Sequence, residues 1–322
     1  MRKSVGVVIP ARNDGASLAS AVASVVDQTA SIDSIVVAVG PSADDTEQVA
    51  RQLATDNPGV SVVDNPTGGT AAGLNLAIAA THTDVVVRVD ARSVLPERYV
   101  EHALESLSAT GAANVGAIQS PVGHTQTERA IAAAMTSPLG TGGAAYRHGG
   151  ERREVDTAYL GAFTSQALHQ VGGYDEHFIR NQDAELNARL RSAGLSVWLD
   201  PRLVVQYRPR PNLASLAKQY WGYGRWRRET VRHHPESLKL RQMAAPTLVV
   251  GLVACLVLAP LVSLVFLAPV AVYLLLVLIA AMVSGDGSLI ERLKMALALV
   301  TMHVSWGAGF LVSLLRSPSA AT

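Results

Sequence analysis

Two carboxylates stand close together in RNQDAELNARLRSAG, the stretch from Arg180 to Gly194. Asp183 and Glu185 precede a helical pattern of Leu186, Leu190 and Leu195. At a helix start such groups can be charges that complement the macrodipole. In a chain that is only 16% charged, they can also be the working end of an enzyme. A third carboxylate, Asp90, closes the apolar run of DVVVRVDARS. A carboxylate in that position costs free energy unless it is used or paired. A further polar cluster, Arg12, Asn13 and Asp14, follows the apolar opening of SVGVVIPARND.

The elements that must position these groups follow from periodicity. Val7 to Ile9, ended by Pro10, reads as a buried parallel strand. Leu18, Val22, Val25 and Val26 then recur at helical spacing. SIDSIVVAVG, GVSVVDNP and DVVVRVDARS read as three further strands, with helices between and after them. Such alternation predicts a mainly parallel sheet flanked by helices, whose ligands bind at the carboxyl ends of the strands. Those ends carry Arg12, Asn13 and Asp14, then Gly40, Ser42 and Asp44, then Asp90. The Gly-rich NPTGGTAAGLN lacks the Lys-Ser/Thr ending of a P-loop, and no G-x-G-x-x-G follows the first strand. Residues 111–160, dominated by Gly, Ala, Ser and Thr, read as a mobile loop partly ordered by substrate.

The bulk numbers exclude some partners. A formal net charge of +1 over 322 residues gives no global electrostatic case for nucleic acid. One cysteine, Cys255, excludes an intrachain disulfide. From Met243 to Gly285 there are 43 residues without Asp, Glu, Lys or Arg. As helix that run would be roughly 65 Å long, about twice a hydrocarbon core. Two transmembrane helices with a turn between Pro260 and Pro269 are expected, with a third candidate from Met295 to Leu315. The opening MRKSVGVVIPARN has too short an apolar run for a signal peptide. Basic residues in GRWRRETVRHHPESLKLR, and Arg292 and Lys294 after the second span, place both flanks on the cytoplasmic side. If the third segment spans, the C-terminus lies outside with Arg316 near it. The expected organisation is a catalytic domain over 1–215, a basic and aromatic interfacial segment over 216–242, membrane helices over 243–316 and a tail over 317–322.

The order VVIPARND, VRVDARS, YLGAF…VGGYDEHFIRNQDAELNARLRSAG and QYWGYGRW resembles family 2 glycosyltransferases of GT-A fold. The likeness covers roughly residues 4 to 230 and is greatest to the membrane-attached branch that includes succinoglycan-type exopolysaccharide glucosyltransferases. It implies an α/β fold with a mixed, mainly parallel sheet. It also implies that Pro10, Arg12, Asn13 and Asp14 belong to the nucleotide-binding start, where hydrogen bonds can grip base and ribose. The bland alternative is a helix cap by Asn13 or Asp14. The family usually has paired Asp residues where Val39 and Gly40 stand, and Asp44 survives at the later acidic position, as a contact or a helix N-terminal charge. Asp90 resembles the first Asp of the D-x-D motif, which supports a divalent cation, Mn2+ or Mg2+, on the donor diphosphate. Arg92 takes the place of the second Asp. It either assists the metal or meets phosphate itself. Pairing of Asp90 with Arg88 or Arg92 for structure alone is the competing reading.

In NQDAEL, Asp183 matches the family's catalytic Asp, and Gln182 stands where Glu is common. The resemblance makes Asp183 the base that takes the acceptor hydroxyl proton. Glu185 then orients neighbours or binds Arg180 or Arg189. Gly161 of YLGAF falls on the acceptor side. Gln219, Arg225 and Trp226 form a variant of Q-x-x-R-W with altered spacing, which argues against processivity. Tyr220, Trp221, Tyr223 and Trp226 can stack on sugar rings or sit at a membrane interface. Arg225, Arg227, Arg228 and Arg232 can meet anionic headgroups or a lipid diphosphate.

The expected protein is an inverting hexosyltransferase. It uses a nucleotide sugar, UDP-linked, and an acceptor at the cell membrane such as a polyprenyl-diphosphate-linked saccharide. Two rivals stand beside it. A nucleotidyltransferase would need a Lys-bearing Gly-rich loop that PARNDGAS lacks. A nucleotide-sugar-binding scaffold without turnover would fit Gly40 and Arg92.

Overall fold

The β-branched runs are strands, as their fit to a pleated, half-buried surface demands. β1 (Val5–Ala11), β2 (Ser34–Val39), β3 (Val60–Asp64) and β4 (Val85–Arg88) pair in parallel in the order β3-β2-β1-β4. α1 (Gly15–Val26), α2 (Thr46–Asp56) and α3 (Thr70–Ala79) connect them. Val7 faces Ile35 on one side and Val87 on the other, and all are buried, as in a sheet covered on both faces. The computed structural model describes residues 2–142, 150–284 and 287–315. The expectations that bear on residues 143–149, on Arg316 and on the tail 317–322 lie outside them.

After α4 (Tyr99–Thr110) the sheet changes character. β5 (Asn114–Pro121), β6 (Arg153–Glu154), β7 (Tyr159–Thr164) and β8 (Val197–Tyr207) complete the order β4-β7-β5-β8-β6. β7 runs antiparallel to β4 and β5, and β6 antiparallel to β8. Much of the stretch read as a loop over 111–160 is therefore strand and helix. Two further helices, α5 (Gln126–Thr136) and α6 (Pro138–Thr141), lie between β5 and β6. α7 (Ser165–Val171) and α8 (Gln182–Ser192) separate β7 from β8.

β7 carries a bulge. Val115 pairs with Ala162 and Ala117 with Tyr159, so Leu160 and Gly161 face the single residue Gly116. Leu160 is buried with φ +52°, a strained conformation for a branched side chain. A bulge re-aims the strand, and this one falls where Gly161 pairs with Arg88 of β4. A Cβ on Gly161 would lie 2.5 Å from both Asn114 Oδ1 and the Phe163 ring, so no side chain fits there.

The described residues fall into two compact units. The first runs to Ser120, resumes before β6 and ends at Tyr207; the second takes the excursion that starts at Pro121 and the chain from Arg208 onward. In the second unit, α5 opens with a capping box: Glu128 N donates to Thr125 Oγ1 at 3.2 Å and Thr125 N to Glu128 Oε2 at 3.0 Å. α9 (Leu213–His233), α10 (Ala244–Leu261), α11 (Leu267–Ser284) and α12 (Leu289–Leu315) follow. Among the described residues, three segments are long and apolar enough to be candidate membrane spans: Leu240–Leu261, Leu264–Ser284 and Leu289–Leu315. The break between the first two falls at the expected proline-flanked turn, and Leu256, Val257, Leu275 and Leu276 leave large apolar surfaces exposed. α9 packs tightly on α12, because a Cβ on Gly224 would lie 2.0 Å from Trp306 O and one on Gly309 2.3 Å from Trp221 O.

Candidate active site

The site assembles at the carboxyl edge of the parallel strands. Arg88 ends β4, in a strand whose every residue is buried. A buried guanidinium needs partners, and Arg88 has two carboxylates. Its Nε and Nη2 donate to Asp90 Oδ1 at 3.2 and 2.9 Å, and its Nη1 donates to Asp183 Oδ1. The guanidinium carbon also lies 5.7 Å from the centroid of the Tyr174 ring, within cation–π range. Tyr174 in turn meets Phe163 edge to face at 6.3 Å. One cation thus joins the strand-end carboxylate to the helix-start carboxylate, residues 93 positions apart in the chain.

α8 is placed so that Asp183 can reach this point. Its N-cap, Asn181, adopts a left-handed conformation with φ +62°, which turns the chain sharply into the helix and which Asn tolerates. Gln182 Nε2 donates to Ile179 O at 3.0 Å across the same turn. Glu185 is buried and takes a bidentate pair from Arg189 at 2.6 Å, while Arg189 Nη1 donates to Val171 O at 2.5 Å. Glu185 therefore ties α8 to the end of α7. On its buried face, Asn187 accepts from Asn114 Nδ2 at 2.8 Å and donates to Thr157 Oγ1 at 3.1 Å.

Burial drives the Asp183 carboxyl up to about 6, with Arg88 pulling it down and Asp90 pushing it further up. Its side chain keeps 23% exposure. Burial opposes the charge on Arg88, but Asp183 and Asp90 outweigh it and hold the guanidinium well above its ordinary range. A carboxylate titrating near neutrality with part of its surface open can accept a proton. Asp90 uses Oδ1 for Arg88, and no hydrogen bond to Oδ2 is found among the described residues.

The β1–α1 turn supplies the other wall. Pro10 is the penultimate residue of β1. Arg12 Nη1 reaches Gly68 O at 3.4 Å. Asn13, at φ +53°, accepts from Ala43 N at 2.7 Å and donates its own N–H to Ser42 Oγ at 3.0 Å. Asp14 accepts from Arg12 N at 3.0 Å and pairs with Arg92 Nε at 2.5 Å, making no side-chain cap to α1. Arg92 thus lies on Asp14 and not on Asp90. The Asp44 carboxylate accepts from Gly15 N at 3.1 Å and from Thr46 Oγ1 at 2.5 Å, and the Thr46 hydroxyl leads the contacts that hold it below its ordinary value. Asp44 so clamps the starts of α1 and α2. Gly40 and Gly68 are forced together, since a Cβ on Gly40 would lie 2.9 Å from Gly68 Cα.

Gln219, Arg225 and Trp226 belong to the second unit, on α9. Gln219 Nε2 donates to Tyr223 Oη at 2.9 Å. Trp226 and Tyr220, expected to be available for ring stacking or a membrane interface, are instead buried, leaving Trp221 and Tyr223 with surface. Arg227, expected among the headgroup contacts, is also buried and donates to Ser237 O and to Gln242 Oε1. The sequence offered Arg88 only as a structural partner of Asp90, and that pair is present; its bond to Asp183 and its contact with Tyr174 were not anticipated.

Comparison with known proteins agrees with this geometry. Residues 6–161 match glycosyl transferase family 2. The chain is 34% identical over 314 residues to the succinoglycan biosynthesis protein ExoA of Rhizobium meliloti (strain 1021), covering 94% of this chain and 93% of that one. Its fold is similar to mannosyltransferase PcManGT from Pyrobaculum calidifontis, solved with GDP-Man and Mn2+, at TM-score 0.67 and 18% identity over 95% of this chain and 87% of that one. It is also similar to S. aureus TarS 1-349, solved with UDP, at TM-score 0.52 and 12% identity over 97% and 91% of the two chains. A GT-A sheet, the family match and a relative of nearly equal extent agree: the chain belongs to glycosyl transferase family 2 and is a glycosyltransferase.

Proposed function

We propose that the chain is an inverting glycosyltransferase that moves a hexose from a UDP-linked sugar to an acceptor held at the cell membrane. The observation that carries this reading is the Arg88 bridge, which brings Asp90 and Asp183 to one place at the strand ends. Asp183 Oδ1 is occupied by Arg88, so Oδ2 is the atom that takes the acceptor proton. As that proton leaves, the acceptor oxygen forms its bond to the anomeric carbon, and the bond from that carbon to the diphosphate breaks. One displacement on the face opposite the leaving group inverts the centre. Pro10, Arg12, Asn13, Asp14 and Asp44 line the nucleoside side, and Arg92 meets the diphosphate after leaving Asp14. Gly161, Gln182 and Glu185 support the acceptor side.

The donor set fits a divalent cation in a form with one protein carboxylate. Asp90 Oδ2 is the oxygen available, and magnesium-type sites commonly combine one or two carboxylates with substrate phosphates. Asp90 would hold such an ion, Mn2+ or Mg2+, which would supply charge neutralisation for the departing diphosphate. The relative's role in succinoglycan biosynthesis and the three apolar helices support a lipid-linked saccharide acceptor in cell-envelope polysaccharide synthesis. The Lys and Arg distribution around the spans supports a multi-pass protein with its catalytic unit in the cytoplasm.

The test is UDP release over a panel of nucleotide sugars, with total membrane lipid as acceptor, for wild type and Asp183→Asn. One UDP sugar should be consumed only when lipid is present. Asp183→Asn should lose about 10²–10⁴-fold in turnover while still binding nucleotide. Equal turnover by both proteins would remove the base assignment, and equal use of soluble sugars would remove the lipid acceptor.

A further inference from the structure

We propose that Arg88 is a positioning residue that locks the base Asp183 to the donor-side carboxylate Asp90 before either substrate arrives. The inference rests on Asp183 being the base and adds what holds it in place. The two carboxylates come from different elements, one after β4 and one in the first turn of α8. No hydrogen bond joins them directly among the described residues; both bonds run to the same planar guanidinium. Its rigid fork fixes direction as well as distance, which a point charge does not.

The fork is itself held. Arg88 has 7% side-chain exposure, lies over the Tyr174 ring, and faces Gly161 across the β4–β7 ladder. Phe163 packs beneath Gly161 and against Tyr174. Tyr174 is clamped at both backbone polar groups by Asn75, which accepts from Tyr174 N and donates to Tyr174 O, each at 2.8 Å. The bulge, the aromatic pair and the asparagine clamp therefore converge on one arginine. With Oδ1 of Asp183 held by Nη1, Oδ2 is the oxygen left for the acceptor hydroxyl. Three of the five Arg88 N–H donors go to Asp90 and Asp183, and with 7% side-chain exposure the arginine acts through those carboxylates.

The test compares Arg88→Lys and Arg88→Gln in the full chain, with UDP affinity by calorimetry, kcat and KM by UDP release, and thermal melting on the same samples. A misplaced base should show in kcat. We expect a fall on the order of 100-fold in kcat for Arg88→Lys, with UDP affinity within about threefold of wild type. Arg88→Gln, which keeps part of the hydrogen bonding without the charge, should fall further. A lysine variant that binds UDP normally and turns over within about threefold of wild type overturns the proposal. So does a lysine variant that fails to fold, because that outcome assigns Arg88 to stability alone. Asp183→Asn run alongside separates the two claims. If it stays active, the base assignment fails; if it is silent while Arg88→Lys is normal, only the positioning role fails.

Discussion

Acidification should switch this enzyme off through Asp183. Its carboxyl is raised from an ordinary 3.8 to about 6, first by burial and then by the neighbouring Asp90, against the pull of Arg88. The ionised fraction is then about nine tenths at pH 7, about half at pH 6 and about one tenth at pH 5. A base must be ionised to act, so kcat/KM should fall about tenfold per unit on the acid side of a single-proton limb near pH 6. The stability effect of the same group has the opposite sense. A folded-state value raised above the unfolded one means that the folded chain holds the proton more tightly. That stabilisation is complete below the ordinary value and is lost as pH rises through about 6. Protonating Asp183 therefore cannot unfold the protein, and the acid loss of activity is chemical.

The assay is UDP release at low donor concentration over about pH 4.5 to 8, with thermal melting at each pH. The reasoning is refuted by a limb near the ordinary carboxylate value, by a profile flat down to about pH 5, or by melting temperatures that collapse together with activity between about pH 6 and 5.

Three further outcomes are expected. Asp90→Asn should weaken donor binding about tenfold or more in the presence of Mn2+ and flatten its dependence on the ion, read by calorimetry with and without metal. Gly161→Ala should cost about 1–3 kcal/mol in thermal or denaturant unfolding, because its Cβ would fall 2.5 Å from Asn114 Oδ1 and from the Phe163 ring. Gly224→Ala should lower the melting temperature of the detergent-solubilised chain, by a comparable ~1–3 kcal/mol, since its Cβ would meet Trp306 O at 2.0 Å and force α9 from α12. An unchanged melting curve for either glycine variant would show that the local packing relaxes more readily than these contacts imply.

The parallel half of the fold was legible because β1, β2 and β4 are almost wholly buried and rich in Val and Ile. The antiparallel half was not. β5 and β7 lie in a stretch where Gly, Ala, Ser and Thr obscure the pattern, and the bulge at Leu160–Gly161 breaks the two-residue alternation that would mark them. The spacing of motifs led to Asp90 and Asp183 and offered Arg88 as a partner for Asp90, yet the link from Arg88 to Asp183 had to come from the folded chain. VVVRV shows that Arg88 needs partners, but it cannot say that one of them lies on a helix 95 residues later. The same limit applies to α9. QYWGYGRW displays four aromatic residues, and only the packed chain shows that Tyr220 and Trp226 are buried while Trp221 is exposed.

The replacement of the second D-x-D carboxylate by Arg92 makes physical sense beside Arg88. Three carboxylates, Asp14, Asp90 and Asp183, share two guanidinium groups. The two arginines are held very differently. Arg92 is 64% exposed on its side chain, and an exposed ion pair of that kind contributes only about 0–1 kcal/mol. A diphosphate can draw it from Asp14 at little cost. Arg88 is buried between two carboxylates, and leaving either charge unpaired there would cost about 3–5 kcal/mol. The fixed arginine is thus suited to setting geometry and the loosely held one to following the ligand. A carboxylate at position 92 would give the cation a second ligand, but it would also leave Asp14 without its partner at the edge of the nucleotide wall. On the proposed function, the departure from the family motif would trade a cation ligand for a movable positive charge, with Asp90 Oδ1 on Arg88 and Oδ2 left for a metal.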